Sequence, residues 1–227
     1  MIFQLTAELE SPVSLNSEAD LHLDGLLYSI HYRGVYLTRA DPAEAIQDAP
    51  LPVARFRRGD GWLWAATACR LAEEANWEPE RFTKRKDPGD LFYLQANHDP
   101  GTGPGRNYLA RHMTVATPTI SWMFAEIGPG GARKVKRLVR GIDSVGRLRR
   151  QGFGRVSRWH LEPIDADPLT TLVSDGKAQR YLPRSWCEWA EDTDRGPCLP
   201  PYWHSARTVD RVKPGWRCQL VDGITCH

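Results

Sequence analysis

The residues best suited to bind a charged ligand in this 227-residue chain are the lysines and arginines between positions 131 and 160. That segment holds ten Lys and Arg and a single acidic residue, Asp143, so its formal charge is +9, whereas the whole chain carries +2. Solubility does not need such an imbalance, which indicates a surface for a polyanion; a solvated basic helix face is the alternative. The ten residues are Arg133, Lys134, Lys136, Arg137, Arg140, Arg147, Arg149, Arg150, Arg155 and Arg158.

Acidic residues dominate the other end of the chain. Residues 1–54 contain two arginines and eight Asp or Glu. We therefore expect the N-terminal third to face away from the bound polyanion.

A glycine-rich loop interrupts the basic segment between residues 146 and 156. Gly152 and Gly154 allow a positive φ or a close approach of another backbone, and the arginines around them suit phosphate groups. Phe153 and Trp159 are candidates for stacking on bases, although Trp159 alone is better explained as a core residue. The glycine spacing fits neither a dinucleotide fingerprint nor a P-loop. Phosphate binding is therefore the favoured interpretation, and a plain turn is the alternative.

Histidines decide whether the chain also has the means to cleave RNA. Metal-free cleavage needs a base, an acid and a cation beside the scissile phosphate. His22 and His31 lie in a stretch, residues 1–32, that has no Lys or Arg, and His112 is a weaker candidate. His160 adjoins the basic loop and points to the sheet face opposite Trp159, with no nearby carboxylate other than Glu162. We expect no catalysis, with a metal-independent RNA endonuclease as the alternative.

Five scattered cysteines favour a reduced, cytoplasmic protein without a disulfide framework. A zinc site made from Cys187, Cys198, His204 and Cys218 is the alternative, but its spacing matches no known zinc motif, so we expect buried thiols and neither metal nor cofactor. No apolar run is long enough for a membrane span, and the first residues lack the pattern of a secretion signal.

The elements that must position the basic segment follow from hydrophobic periodicity. Together they give the order β-α-β-β-α-β, an α+β fold with a ferredoxin-like or RRM-like core whose open sheet face suits single-stranded RNA. The predicted elements are a strand over 2–10, a helix over 20–32, strand-like segments at 51–57 and 62–68 (with a helix over 62–76 as the alternative), strands at 113–117 and 119–127, an amphipathic helix through 135–142 capped by Gly146, and a strand over 155–162.

Two segments lie outside this core. Residues 78–112 form a long excursion with little periodicity inside a predicted domain of residues 1–163. Residues 164–227 are rich in Trp and Pro, and we expect them to form an irregular extension packed on the core.

A helix followed by an arginine-rich Gly-x-Gly loop and a strand resembles the RAMP superfamily of CRISPR-associated proteins. Residues 21–27, 145–159 and 200–203, with 120–122 before the basic helix, resemble the handle-capping (five-type) subunit of type IV effector complexes. The similarity reaches both ends of the chain, but only as separate patches. The glycine loop points to the superfamily, and the other patches narrow it to the subunit.

The resemblance implies a non-catalytic subunit that grips the 5′ repeat-derived handle of a CRISPR guide RNA. Its partners would be backbone filament subunits, a large or small subunit, and target DNA near the adjacent motif. The basic residues would bind RNA together with Gly152, Phe153, Gly154 and His160. The excursion would act as a thumb, with secondary RNA or DNA contacts from Lys84, Arg85, Lys86, Arg106, Asn107 and Tyr108.

Overall fold

Antiparallel strands and two helices make up the described part of the chain, so its class is α+β. The computed structural model describes residues 1–15, 21–31, 50–84, 108–200, 202 and 208–227. The first half contains β1 (Ile2–Leu9), β2 (Val13–Ser14), α1 (Leu23–His31), β3 (Arg55–Arg58), β4 (Gly61–Trp64), β5 (Arg70–Leu71), β6 (Asn76–Lys84), β7 (Tyr108–Ala116) and β8 (Thr119–Ala125). None of the helices in these ranges is long and apolar enough to cross a membrane.

The central sheet has the strand order β5-β8-β1-β9, all antiparallel, where β9 is Val156–Ile164. The register places Thr6 between Ser121 on β8 and His160 on β9. Leu5 and Trp122 point to the opposite face, where both are fully buried. That alternation, apolar on one face and polar on the other, is the pattern from which the first strand was predicted.

The second helix, α2 (Gly131–Val139), is shorter than its apolar stripe suggested. Val135 and Val139 are buried as expected, but the helix is capped by Arg140, so the assignment of Gly146 as its C-cap was wrong. Gly146 has a φ of +79° and packs against β2, where an added Cβ would lie 2.8 Å from the carbonyl oxygen of Ser14. A glycine is therefore required at position 146, because any side chain there would collide with strand β2.

Residues 55–64 form the β3–β4 hairpin, so the strand prediction for this region is confirmed and the alternative helix is wrong. Phe56 and Leu63 pair across the hairpin and are both buried. Gly59, with a φ of +55°, turns the chain between the strands. A left-handed turn residue between two β-rich segments favours a hairpin over a helix.

The two ends of the 78–112 excursion are ordered as a long hairpin. Strand β6 pairs with β7 from Asn76↔Ala116 to Lys84↔Tyr108. Strand β2 adds a third, short strand beside β7. Residues 85–107 lie outside the described ranges, so the excursion is described only where it leaves and rejoins the core.

The C-terminal segment is not irregular, contrary to expectation. Its short strands pair antiparallel, and the last of them, β17 (Thr225–Cys226), pairs with β3 in the first half of the chain. Leu182 and Trp186 from this segment belong to the same buried cluster as Leu5 and Trp122. Short strands of two to five residues leave too little periodicity to detect in the sequence. They are β10 (Val173–Ser174), β11 (Lys177–Ala178), β12 (Leu182–Pro183), β13 (Cys187–Ala190), β14 (Asp194–Pro197), β15 (Thr208–Val212), β16 (Cys218–Leu220) and β17 (Thr225–Cys226).

Candidate nucleic-acid interface

Helix α2 presents the first half of the basic segment to solvent. Its apolar side, Val135 and Val139, is buried, which turns the charged side chains outward. The Glu126 carboxylate accepts a hydrogen bond of 3.2 Å from the Ala132 N–H, which stabilises the helix start. The outward residues line one concave surface, called here the helix pocket: Arg133, Lys134, Lys136, Arg137 and Arg140.

Arg149, Arg150 and Arg155 line a second concave surface of about 460 Å³, called here the loop pocket. Most of the predicted basic residues are thus brought together in two groups rather than one, and Arg147 and Arg158 line neither surface. The loop pocket is lined by Glu10, Asp143, Ser144, Arg149, Arg150, Gly152, Arg155, Val156 and Ser157.

Most of these cations form no ion pair with any residue of the described ranges. Among the described residues, one ion pair involves an arginine of this segment. It joins Arg155 Nε to Glu10 Oε2 at 3.8 Å, and both side chains are largely exposed. Arg149 and Arg150 are exposed in a 3₁₀ turn, Arg149–Gln151, and have no ion-pair partner in those ranges. Exposed cations that form no ion pair remain available to phosphates.

The turn between β1 and β2 holds the glycine loop in place. The Ser11 hydroxyl donates to the Gly152 carbonyl (2.8 Å) and accepts from the Arg155 N–H (2.9 Å). The Gly154 N–H donates to the Pro12 carbonyl (2.8 Å). The loop is therefore clamped on both sides of Phe153 and is preorganised for a ligand.

The two glycines of the Gly-x-Gly motif have different roles. Both have a positive φ, +90° at Gly152 and +65° at Gly154. A Cβ at Gly154 would lie 2.0 Å from the Val145 carbonyl oxygen, so this glycine is needed for the loop to pack on its own chain. A Cβ at Gly152 would meet nothing within 4 Å. Gly152 therefore leaves room for a ligand to approach the loop, although its own N–H donates to the Arg149 carbonyl (3.0 Å) and its carbonyl accepts from Ser11.

The acidic N-terminal third does not face away from the basic segment, contrary to expectation. Glu10 lines the loop pocket, and the Glu8 carboxylate lies 2.6 Å from Nε2 of His160. Glu8 lies directly opposite Arg158 in the sheet. His160 is two residues further along β9, so it is the diagonal neighbour of Glu8 on the same face. His160 therefore has an orienting carboxylate that sequence order concealed, because strands β1 and β9 are neighbours only in the fold.

Trp159 packs into the core, as the sequence analysis predicted. Its indole N–H donates to the Ile142 carbonyl (3.1 Å), and its ring stacks on Trp122 at 5.9 Å between centroids. Phe153 is half-buried in the loop. The opposite sheet face carries Arg158 and His160 but, within the described strands, no Phe, Tyr or Trp. That face lacks the stacking residues with which RRM sheets hold bases.

The secondary contacts predicted in the excursion are described only in part. Lys84 and Tyr108 pair at the end of the β6–β7 hairpin, where the excursion leaves the sheet. Arg85, Lys86, Arg106 and Asn107 lie outside the described residues. Arg147 is exposed beside β2, and its N–H donates to the Ser14 carbonyl (2.8 Å).

His22 is a structural residue. It is 2% exposed, and its ring stacks between Tyr181 and Tyr202 at 4.9 and 4.6 Å. Its Nε2 accepts a hydrogen bond from the Tyr181 N–H at 3.3 Å. A histidine enclosed in this way cannot reach an RNA backbone.

A buried arginine network, which was not predicted, lies beside His22. Arg180 is 0% exposed and donates to Asp24 (2.9 Å), to the Tyr202 hydroxyl (3.1 Å) and to the carbonyls of Trp64, Ala66 and Cys198. The Tyr202 hydroxyl donates to Asp24 at 2.9 Å. Asp24 and Tyr202 come from two of the patches that carry the family resemblance, and they meet at Arg180. The three residues are called here the buried node.

Burial and the neighbouring Asp24 carboxylate set the protonation states of Arg180 and Tyr202. Burial acts to lower the pKa of Arg180, but Asp24, Tyr202 and Cys198 together outweigh it and the pKa lies above its ordinary value. Burial, together with Asp24, holds the pKa of Tyr202 well above its ordinary value. Tyr202 therefore remains a neutral hydrogen-bond donor to an ion pair.

The three cysteines of the alternative zinc site are buried, as expected, whereas Cys226 is exposed. Cys187, Cys198 and Cys218 are 3 to 4% exposed, and burial raises the pKa of Cys198 to about 12. Within the described ranges, no group of three or more His, Cys, Asp or Glu is placed to hold a metal ion. The fourth residue of the alternative zinc site, His204, lies outside those ranges.

Comparison with known proteins adds no assignment: no protein-family model matches the chain, and no curated protein matches its sequence.

Proposed function

We propose that this chain is a non-catalytic RNA-binding subunit of a cytoplasmic CRISPR effector ribonucleoprotein. In this role it grips the 5′ repeat-derived handle of the guide RNA, and the loop pocket and helix pocket are its phosphate sites. The observation that carries the RNA-binding part is a clamped loop on which Arg149 and Arg150 are exposed without an ion-pair partner among the described residues, beside the uncrowded Gly152.

A ferredoxin-like core is part of this proposal. Its support is the strand order: if β1, β5, β8 and β9 are taken as strands one to four, the observed order is four-one-three-two, all antiparallel. Helix α1 falls between the first and second of these strands and α2 between the third and fourth. That is the arrangement expected of a β-α-β-β-α-β unit. Hairpin β6–β7 is then an insertion between the second and third strands.

Handle capping and assembly into a CRISPR complex are supported by the resemblance alone. Backbone filament subunits, a large or small subunit, and target DNA near the adjacent motif are the partners that it implies. The β6–β7 hairpin, which leads away from the sheet at Lys84 and Tyr108, is the proposed thumb.

Recovery of the bound RNA tests the proposal. The full chain is expressed with its genomic neighbours, purified by a tag, and the RNA that accompanies it is sequenced. We expect repeat-derived RNA with a common 5′ end and stable co-purification with a filament-forming subunit. Recovery of unrelated RNA without a partner would instead make the chain a stand-alone RNA-binding protein.

A metal-independent RNA endonuclease is the second candidate, and one observation favours it. Glu8 lies 2.6 Å from His160, beside exposed Arg158, so the imidazole has both an orienting carboxylate and a neighbouring cation. A repeat RNA incubated with the purified chain in EDTA separates the two candidates. We expect no cleavage product, and a discrete product that disappears in His160→Ala would establish the second candidate.

A further inference from the structure

The loop pocket contains two carboxylates, from Glu10 and Asp143, among its arginines. Negative charges weaken the binding of phosphates to neighbouring cations. A surface that held only the RNA backbone would therefore bind it more tightly without them. Their presence indicates that the pocket accepts a ligand with hydrogen-bond donors as well as a negative charge.

The two carboxylates differ in their remaining capacity to accept hydrogen bonds. Asp143 Oδ1 accepts from the Ser144 hydroxyl at 3.0 Å. Glu10 Oε2 is 3.8 Å from Arg155 Nε, too far for a hydrogen bond, and the Glu10 carboxylate accepts no hydrogen bond from any described residue. Glu10 thus has two oxygens that accept no hydrogen bond from a described residue, at an exposed position where Oε2 is ion-paired with Arg155.

The backbone that carries Glu10 is fixed relative to the glycine loop. Its N–H donates to the Arg155 carbonyl at 2.9 Å, and the next residue, Ser11, is bonded to both sides of the loop. The position of the Glu10 Cα beside the loop is therefore set in advance, and only the torsions of its side chain must be ordered on binding.

Among the four RNA bases, guanine has the donor pattern that a carboxylate fits best. Its Watson–Crick edge presents the N1–H and a 2-amino N–H side by side, one for each carboxylate oxygen. Adenine and cytosine present one amino group next to an acceptor nitrogen, and uracil presents one N–H between two carbonyls. A carboxylate has no donor with which to satisfy those acceptors.

We propose that Glu10 binds the Watson–Crick edge of one guanine base in single-stranded RNA, while Arg149 and Arg150 hold the adjacent phosphates beside Gly152. This inference rests on the proposed RNA-binding function and adds a base preference to it. Unstacked single-stranded bases are the usual targets of such readout, since their edges are exposed.

Binding of short labelled oligouridines tests the inference by fluorescence anisotropy. The probes carry one central guanosine, inosine or adenosine, or none. The full chain is expected to bind the guanosine probe roughly tenfold more tightly than the adenosine probe, the scale of one bidentate base contact. Inosine, which lacks the 2-amino group, should fall between them.

Glu10→Gln provides a test in which two effects have opposite signs. Removing the negative charge should tighten binding of plain oligouridine, while the preference for guanosine should be lost. Asp143→Asn is the matched control, since it removes the same charge from the same pocket. It should also tighten oligouridine binding but leave the guanosine preference in place.

Three results would overturn the inference: equal wild-type affinity for guanosine and adenosine probes, a preference that survives Glu10→Gln, or a preference that Asp143→Asn abolishes instead. If oligouridine binds in these cases, the proposed RNA-binding function stands and only the base assignment fails. If no probe binds at low salt, both fail.

Discussion

Arginine serves opposite purposes in two regions of this molecule. Arg180 is completely buried and has six hydrogen-bonding partners, including the carboxylate of Asp24. Arg149 and Arg150 are exposed, and within the described residues they pair with no carboxylate. An arginine whose donors are satisfied inside the fold contributes to stability, whereas one held at the surface without partners is available to a ligand. Variants of the two regions should therefore separate stability from RNA affinity.

The largest expected effect is that of Arg180→Ala. Removing this side chain leaves Asp24 buried without its counter-ion, which costs about 3–5 kcal/mol of unfolding free energy. Urea denaturation followed by circular dichroism measures it. Arg195→Ala, which removes an arginine from the exposed ion pair with Asp210, is the control and should change stability by no more than about 0.5 kcal/mol. An Arg180→Ala protein as stable as the wild type would contradict the structural role of the buried node.

The next largest effect should distinguish the two glycines of the loop. Gly154→Val places a Cβ against the Val145 carbonyl at a positive φ, so we expect about 3 kcal/mol of destabilisation. Gly152→Val has open space around it and should cost about 1–2 kcal/mol for its backbone conformation. RNA affinity should nevertheless fall in the folded Gly152→Val protein. Equal stability of the two variants, or unchanged RNA binding by Gly152→Val, would contradict this division.

Alkaline pH should expose the contribution of Tyr202. Its pKa is raised in the folded state by burial and by Asp24, so the phenol stays protonated where an unfolded tyrosine would ionise. The associated stability is fully present below about pH 10 and is lost as the pH rises above it. Urea midpoints at about pH 8 and about pH 11 should therefore differ less for Tyr202→Phe than for the wild type. An identical pH dependence in both proteins would refute the assignment.

The smallest expected effect is that of His160→Ala on guide-RNA maturation. The Glu8–His160 pair is one proton-transfer unit, whereas cleavage needs both an acid and a base. We expect processed RNA at wild-type levels in cells that carry the variant, as seen by RNA sequencing. Accumulation of uncut precursor with unchanged RNA affinity would instead support the endonuclease.

Much of the central sheet could be predicted because its strands alternate cleanly. Strands β1, β8 and β9 of that sheet followed from periodicity, as did the 55–64 hairpin and the buried side of α2, which lie outside it; the two-residue strand β5 did not. The end of α2 could not be predicted, since Ile142 continues the apolar stripe past the helix, and Gly146 is explained by its contact with Ser14.

The candidate site was predictable in composition but not in arrangement. Counting charges located the basic segment, but not its division into two pockets. Nor could sequence order show that Glu8 and Glu10, about 150 positions away along the chain, lie beside His160 and Arg155. Such pairs depend on strand neighbours in the fold. Arg180 carried no local signal, because a lone arginine in an apolar segment has the same appearance whether it is buried or exposed.

The salt dependence of RNA binding tests the central claim most directly. A triple variant, Arg149→Ala, Arg150→Ala and Arg155→Ala, is compared with the wild type using a labelled single-stranded RNA at several salt concentrations. A second triple variant at exposed arginines elsewhere, Arg57→Ala, Arg195→Ala and Arg217→Ala, is the control. We predict that the slope of log affinity against log salt shrinks by about 0.7 for each lost phosphate contact in the loop variant only. An unchanged slope in that variant, or an equal reduction in the control, would place the RNA site elsewhere.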